Sequence, residues 1–173
     1  MNIQSIDTLI EEVIEPQREF GVKLEVTKQG TTSSPTLARN PGILYGLGNL
    51  VENAIDFAKS RVRIDASWTK DVVIIRIEDD GPGFSPAILD RLGDPYLRGR
   101  PVDRRTKNDA DSGLGLGLFI AKTLLERSGA TVETTNVNPP QTGAVVRVIW
   151  PRAAVELGAA KNEPKKFALE GND

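Results

Sequence analysis

The sequence contains neither histidine nor cysteine among its 173 residues. Without histidine, the chain lacks the commonest general base, the commonest metal ligand, and any imidazole that could carry a phosphoryl group. Without cysteine, it has no disulfide framework and no thiol redox chemistry. Enzyme classes that depend on either side chain within one chain are therefore excluded.

Long apolar runs and a large excess of one charge are also missing. No apolar stretch approaches the length of a membrane-spanning helix, and no signal peptide opens the chain. The formal net charge of −2 gives no indication of a nucleic-acid partner. We therefore expect a soluble, cytoplasmic chain without direct membrane contact, long enough for one domain with a substantial core.

Apolar periodicity divides the chain into a few elements. Helical spacing predicts helices at 6–20, 43–58 and 114–128 and a shorter one at 86–92. Alternation predicts five strands, at 22–27, 61–68, 72–78, 131–136 and 144–150. Residues 93–112 lack apolar rhythm and read as a long loop, of the kind that often forms a functional lid. The expected fold is α+β, a two-layer sandwich with a mixed sheet packed on helices.

Asn49 and Asn53 form the first candidate site. They are four residues apart on a predicted helix, so their side chains are neighbours on the side opposite its apolar stripe. Amide oxygens are suitable ligands for Mg²⁺, which takes few protein ligands and keeps water and phosphate oxygens. For this helix alone, a solvated polar face is the simpler interpretation.

The segment Asp79-Asp80-Gly81-Pro82-Gly83 follows a predicted strand and forms the second candidate. A buried carboxylate at the strand end could accept a hydrogen bond from an exocyclic amine such as adenine N6. The glycines would let the backbone pass close to a flat ligand. Taken alone, an ordinary Asp-Gly turn explains these residues better.

The predicted lid and the glycine repeat after it form the third candidate. Arginines such as Arg98 suit phosphate geometry, although solvated charge explains most of them individually. The segment Gly113-Leu114-Gly115-Leu116-Gly117 opens a predicted helix, where free N–H groups and glycines would admit a phosphate. The repeat is not a dinucleotide fingerprint, because a loop precedes it, nor a Walker loop, because no Gly-Lys-Ser/Thr follows.

The order of these motifs resembles the ATP-binding catalytic domain of bacterial sensor histidine kinases, which belong to the Bergerat-fold ATPase superfamily. NLVENAIDFA resembles the N box of that family, DDGPGF its first glycine box, and SGLGLGLFIAK its second. GDPYLRG stands in place of the phenylalanine box, and TGAVVRVIWP is similar to the usual closing strand. The resemblance to the family covers about residues 35–151. Three segments look most like the RegB/PrrB/ActS group of redox-responsive kinases: NLVENAIDFA, LGDPYLRGR and GLGLGLFIAKTLLERSGA.

The resemblance implies a role for each matching residue. Asn53 would be the Mg²⁺ ligand, Asn49 would support the phosphates, and Asp79 would bind the adenine amine. Gly81 and Gly83 would shape the adenine pocket, and Arg98 stands where the family often has a phosphate-directed arginine. The glycine repeat would let the lid hinge and its backbone meet the phosphates; the nucleotide-binding residues there would be Gly113, Leu114, Gly115, Leu116 and Gly117.

The resemblance also implies a function. The domain would bind Mg-ATP and supply its γ-phosphoryl group to a histidine on a separate dimerisation domain, from which it would pass to the receiver domain of a response regulator. No catalytic residue is assigned in this chain, because the acceptor histidine is absent, and we expect no autophosphorylation in isolation. A RegB-like parent protein would be anchored in the inner membrane.

We expect the chain to divide into three segments. Residues 1–20 would be a helical stub from the dimerisation region. Residues 21–151 would be the ATP-binding domain with its lid at 93–112, and residues 152–173 a flexible tail.

Two positions depart from the family pattern. Asp56 stands where many members have a basic residue, so a phosphate contact is lost or supplied by Lys59, Arg61 or the lid. Tyr96 replaces the usual phenylalanine, which is a mild change.

Three other functions stay open. An ATP hydrolase of the gyrase or chaperone type usually has a glutamate at the position of Asn49, and so does an anti-sigma-factor serine kinase. Asparagine cannot take up a proton, which argues against both. A non-catalytic adaptor that binds nucleotide to regulate a partner is consistent with the lack of histidine.

Overall fold

Seven strands build the framework of the part of the chain that the structure describes. The structure is a computed structural model, and it describes residues 3–18, 21–93 and 109–156. Within these ranges the strands are β1 (Ile3–Ser5), β2 (Lys23–Gly30), β3 (Thr36–Ala38), β4 (Arg61–Trp68), β5 (Val72–Asp79), β6 (Thr131–Asn136) and β7 (Ala144–Pro151). A mixed five-stranded sheet has the order β2-β4-β5-β7-β6, in which only the β2–β4 pair is parallel. The short strands β1 and β3 pair antiparallel in a separate sheet.

The helices cover one face of the large sheet. They are α1 (Ile6–Ile14), α2 (Pro41–Phe57), α3 (Pro86–Gly93), α4 (Asp109–Arg127) and α5 (Arg152–Val155), with a 3₁₀ turn at Glu15–Gln17. Alternate residues of the central strands are buried beneath them, among them Val62, Ile75 and Val148. The opposite face carries polar residues such as the paired Asp65 and Arg76. This alternation is typical of a sheet with one solvated face and confirms the predicted fold class.

Helix α2 lies in the middle of the helical layer. Asn40 caps it, because its side-chain oxygen accepts hydrogen bonds from the backbone N–H groups of Gly42 and Ile43, and Pro41 occupies the first turn. The helix packs closely on α4 at Gly46, where an added Cβ atom would lie 2.8 Å from Leu125 Cγ. This close packing holds α2 against α4, and the side of α2 that carries Asn53 faces α4.

Helix α1 is part of the same core as the rest of the fold. Its five buried side chains pack against α2 and the sheet; they are Ile6, Leu9, Ile10, Val13 and Ile14. Glu12 accepts two hydrogen bonds of 2.6 Å from the Arg39 guanidinium and one of 2.7 Å from Gln4. The boundary predicted at residue 20 therefore does not separate two packed units, and the derivation of residues 1–20 from a dimerisation region stays a prediction.

Helix α4 begins earlier than predicted. The sequence predicts a start at residue 114, after a loop, whereas the helix begins at Asp109. Aspartate is favourable in the first turn of a helix, and the sequence has aspartates at 109 and 111, but the glycine repeat that follows hides this helix signal in the sequence. Of the predicted lid, residues 94–108 lie outside the described residues, and Arg98 is among them.

The chain after β7 is ordered further than predicted. The sequence predicts a flexible tail from residue 152, but Arg152–Val155 form α5 and Arg152 is buried. Its guanidinium donates hydrogen bonds to Thr32 Oγ1, to two backbone carbonyls and to Glu156. The prediction is wrong at this point because alanine-rich sequence gives no sign of a guanidinium anchored by residues about 120 positions away.

Candidate nucleotide-binding site

A cleft lies between α2, the sheet and α4, and it encloses about 370 Å³ of space that is partly open to solvent. Its wall is mostly apolar, with two polar side chains, Asn53 and Asp79. The other lining residues are Leu50, Ala54, Phe57, Ile77, Gly83, Phe84, Leu118, Ala144 and Val146. An apolar cavity with a few convergent polar groups is the usual form of a small-molecule site.

Asp79 is the buried acid of the cleft, at the carboxyl end of β5. Its side chain is nearly inaccessible, and Oδ1 accepts hydrogen bonds from the backbone N–H groups of Gly81 at 2.8 Å and Ala144 at 3.3 Å. No hydrogen bond from the described residues reaches Oδ2. Burial raises the pKa of this carboxyl above its usual range, and the two N–H donors offset part of the rise. One oxygen is thus fixed by the protein, and the other has no hydrogen-bond partner among the described residues.

The loop after Asp79 needs glycine at two positions for different reasons. A Cβ atom on Gly81 would lie 2.1 Å from the carbonyl oxygen of Phe57, so only glycine permits this approach to the end of α2. Gly83 has a φ of +87°, in the region that side chains rarely adopt. Gly83 lines the cleft, whereas Gly81 is not among the residues that line it, and the role of the two glycines as an adenine-pocket wall stays a prediction.

Two side chains outside the predicted set hold this loop. Asp80 accepts four hydrogen bonds from the turn between α2 and β4: from the backbone N–H groups of Lys59, Ser60 and Arg61 and from Ser60 Oγ. Asn136, at the end of β6, accepts from the Phe84 N–H at 2.7 Å and donates to the Phe84 carbonyl at 2.9 Å. Asp79 and Phe84 therefore lie on a segment that is attached at both sides.

Asn53 faces the opposite part of the cleft. Its Nδ2 atom is buried and has no hydrogen-bond partner in the described structure. A Cβ atom on Gly117 would lie 3.7 Å from this Nδ2, so the glycine leaves open space above the amide. Asn49 lies one turn earlier on α2, half-buried, and does not line the cleft.

The donor set suits a magnesium ion. No hydrogen bond among the described residues reaches Asn53 Oδ1, the amide atom that could bind a cation, and these residues contain no cluster of three acidic, histidine or cysteine side chains that could enclose a metal. Mg²⁺ binds through one or two protein oxygens and completes its shell with water and phosphate oxygens, so a single amide ligand is sufficient.

The glycine repeat lies inside α4 and not at its first residue. Because α4 starts at Asp109, Gly113, Leu114, Gly115, Leu116 and Gly117 occupy its second and third turns. Their N–H groups follow the four that a helix leaves unpaired, which overturns the prediction that the repeat opens the helix. Leu116 is exposed, whereas Leu118 lines the cleft.

Several lining residues were missed by sequence reasoning. Phe84 follows the predicted glycines directly, and Phe57 and Ala54 follow Asn53 on its helix, so the spacing of the two motifs could have indicated them. Ala144 comes from a distant strand and no local signal predicts it. Its N–H reaches Asp79 across 65 positions of sequence.

The family of the chain is shown by comparison with known proteins. A family model described as histidine kinase-, DNA gyrase B-, and HSP90-like ATPase matches residues 40–154, which is more than half of the chain. The chain belongs to this family of ATPases.

Relatives narrow this assignment to sensor kinases. The chain is 43% identical over 157 residues to the sensor histidine kinase RegB of Cereibacter sphaeroides, which covers 83% of the chain and 34% of RegB. It is 26% identical over 134 residues to the sensor histidine kinase CpxA of Escherichia coli, which covers 73% of the chain and 28% of CpxA. The chain thus spans about a third of the length of these relatives and corresponds to their kinase catalytic ATPase domain.

Solved structures agree on the fold. The catalytic domain of histidine kinase ThkA superposes with a TM-score of 0.61 at 20% identity, covering 87% of this chain and 96% of that one. Full-length ShkA in complex with AMPPNP gives a TM-score of 0.63 at 22% identity, covering 92% of this chain and 32% of ShkA. In the described part of the chain, no helix has the length and apolar character needed to span a membrane.

Proposed function

We propose that this domain binds Mg-ATP in the cleft between α2 and α4 and supplies the γ-phosphoryl group to a histidine on a separate dimerisation domain. The observation that supports it is the arrangement of Asp79 and Asn53, two incompletely satisfied polar groups in one otherwise apolar cleft. The similarity to sensor histidine kinases gives the reaction its class. The phosphoryl group would then pass to the receiver domain of a response regulator, in two-component signal transduction.

The adenine ring is placed at the Asp79 end of the cleft. The free Oδ2 atom would accept a hydrogen bond from the exocyclic amine, while Phe84, Leu118 and Val146 supply apolar contact. Because Asp79 is an acceptor held in place before the ligand arrives, it favours adenine over a base with a carbonyl at that position. Gly81 and Gly83 would serve as the wall of this pocket.

The phosphates are placed at the Asn53 end, beside Gly117. Asn53 would hold Mg²⁺, which neutralises charge on the phosphates, and Asn49 would support the phosphates from one turn away. Gly117 would leave space for the phosphates beside Asn53, and residues 113–116 and Arg98 would stand on the phosphate side by the family resemblance. Arg98 is proposed from the sequence alone.

The chain itself would bind and orient the nucleotide and exclude water from the base. The nucleophile has to come from elsewhere, because no histidine is present in this sequence. Phosphoryl transfer depends mainly on positioning and charge stabilisation, so a domain without a nucleophile can still perform its share of the reaction.

Transfer to a supplied acceptor tests this proposal. The domain would be incubated with γ-labelled ATP, Mg²⁺ and a separately purified histidine-bearing dimerisation domain of a RegB relative. We expect acid-labile label on the acceptor, none on this chain alone, and a strong reduction with Asp79→Asn. ATP binding without transfer to any acceptor would contradict the kinase proposal and favour the nucleotide-binding adaptor.

A further inference from the structure

The loop that carries Asp79 is held from two opposite sides by residues that do not line the cleft. Asp80 attaches it to the turn after α2, and Asn136 attaches it to the end of β6. The two attachments enclose residues 80–84, which contain the two glycines and Phe84. Asp79 itself lies at the start of this enclosed segment.

The Asp80 attachment is unusually complete for an exposed carboxylate. Oδ1 accepts three backbone N–H groups at 2.8, 3.0 and 3.2 Å, and Oδ2 accepts Ser60 Oγ at 2.7 Å. Burial by itself would raise the pKa of Asp80, but these donors outweigh it and hold that pKa far below its usual range. The carboxylate therefore stays ionised and its hydrogen bonds persist at any pH near neutral.

The Asn136 side chain bonds to the Phe84 backbone in the way that a neighbouring strand would. Its amide gives and receives one hydrogen bond with the same residue, Phe84, at 2.9 and 2.7 Å. Gly83 lies against this amide, since an added Cβ atom would be 3.0 Å from Asn136 Oδ1. A movement of the Phe84 backbone away from Asn136 would lengthen both bonds.

We propose that Asp80 and Asn136 are positioning residues for base recognition: together they set the position of the Asp79 carboxylate and of Phe84 relative to the adenine ring. The inference rests on the proposed function, because it presumes that this cleft holds adenine. Neither residue touches the ligand. Each acts through the loop between them.

The charge of Asp80 and its position have opposite expected effects on recognition of the adenine amine. The negative charge of Asp80 raises the pKa of neighbouring Asp79, so its removal makes Asp79 a more fully ionised acceptor. If Asp80 acted by charge alone, Asp80→Ala would leave amine recognition unchanged or improve it. If it acts by position, the same variant weakens amine recognition.

Two nucleotides separate position from general stability. Calorimetry would measure the Kd of Mg-ATP and of the Mg-bound triphosphate of purine riboside, which lacks the 6-amino group. A hydrogen bond to a charged group predicts that the wild-type protein prefers ATP by about tenfold to a hundredfold. We expect Asp80→Ala and Asn136→Ala to lose most of this preference while binding the amine-free nucleotide nearly as well as the wild type.

Matched variants complete the design. Asp80→Asn keeps an acceptor for the three N–H groups and should restore the preference. Asp71→Ala, at the other end of β5, and Asn138→Ala, in the next turn, should leave it unchanged, because neither side chain has a hydrogen bond in the described structure. If Asp80→Ala fails to fold, two other variants test the positioning role. They are Asn136→Ala and Ser60→Ala, and the latter removes one of the four hydrogen bonds to Asp80.

The outcomes are distinct. An unchanged preference in folded Asp80→Ala and Asn136→Ala, or an equal loss for both nucleotides, would overturn the positioning role while leaving ATP binding in place. Failure of the wild-type protein to bind either nucleotide would overturn the proposed function, and the positioning role with it.

Discussion

The buried carboxylate of Asp79 opposes folding, and in the proposed function the same carboxylate supports binding. Burial raises its pKa, so at neutral pH the ionised form lowers the stability of the unliganded domain. Asp79→Asn keeps the shape and the acceptor for Gly81 and Ala144 but removes the buried charge. We therefore expect this variant to unfold at the same or a higher temperature than the wild type at pH 7, measured by calorimetry without nucleotide. A clear fall in the midpoint would contradict this account of the site.

The same pKa shift predicts opposite pH trends for stability and for binding. As pH falls from neutral through the raised pKa, Asp79 takes up a proton and its destabilising effect on the unliganded domain is relieved. The proton would go to Oδ2, since Oδ1 already accepts two N–H donors, and an O–H group cannot accept from the adenine amine.

We therefore expect the affinity for ATP to decrease as the pH is lowered, over a pH range above the usual carboxyl pKa. Titrations with ATP at several pH values would measure this. The triphosphate of purine riboside serves as the control, because it shares the phosphates of ATP and lacks the amine. An identical pH dependence for the two nucleotides would show that Asp79 does not read the amine.

At the scale of single residues, sequence reasoning found the acid of the cleft and missed what holds it. Asp79 follows a strand and precedes two glycines, so its motif is local. Asp80 acts on the chain 19 to 21 positions away, and Asn136 on a residue 52 positions away. Hydrogen bonds over such distances depend on the sheet order, which periodicity does not give.

At the scale of elements, Gly117 in α4 and Gly48 in α2 can be compared as matched helical glycines. Each lies inside a helix, where alanine is more stable than glycine by about 0.5–1 kcal/mol. A Cβ atom at Gly117 makes only ordinary contact with Asn53, and one at Gly48 meets nothing within 4 Å. We expect both Gly117→Ala and Gly48→Ala to raise the unfolding temperature of the unliganded domain by a few degrees.

Only Gly117→Ala should affect binding. Its methyl group would fill the space above the Asn53 amide, where the proposed function places the ion and phosphates, so the Kd of Mg-ATP should rise several-fold. Gly48→Ala should bind like the wild type, measured in the same titration. Full binding by Gly117→Ala would remove residue 117 from the phosphate site.

The element boundaries show where periodicity is informative. β4 and β6 match their predicted ranges, because alternation over six to eight residues is unambiguous. β1 and β3 have three residues each, which is too short for alternation to register. The predicted start of α4 is wrong because glycine is a poor helix former and suggests a boundary, whereas the helix continues through the repeat.

At the scale of the whole molecule, α1 decides where the folding unit begins. Burial of an aliphatic side chain contributes about 1.5–3 kcal/mol, so the five buried side chains of α1 together contribute an amount similar to the whole stability of a domain. A chain that starts at Gly21 should therefore lack a cooperative unfolding transition. A truncated chain that unfolds cooperatively and still binds ATP would support a separate origin for residues 1–20.

Point variants test the same claim within the full chain. Ile10→Ala should cost about 2–5 kcal/mol in urea unfolding, because it leaves a cavity against α2 and the sheet. Glu11→Ala, on the exposed side of α1, should cost about 0–1 kcal/mol, since it loses only a surface ion pair with Arg18.

The central claim is that the cleft binds Mg-ATP through Asp79. Thermal unfolding with and without Mg-ATP, beside Asp79→Asn, tests it most directly. Nucleotide at a hundredfold its Kd stabilises by about 2.7 kcal/mol, which predicts a rise of about 5–10 °C for the wild-type protein and a much smaller one for the variant. No shift at millimolar ATP, or the same shift in both proteins, would contradict the claim.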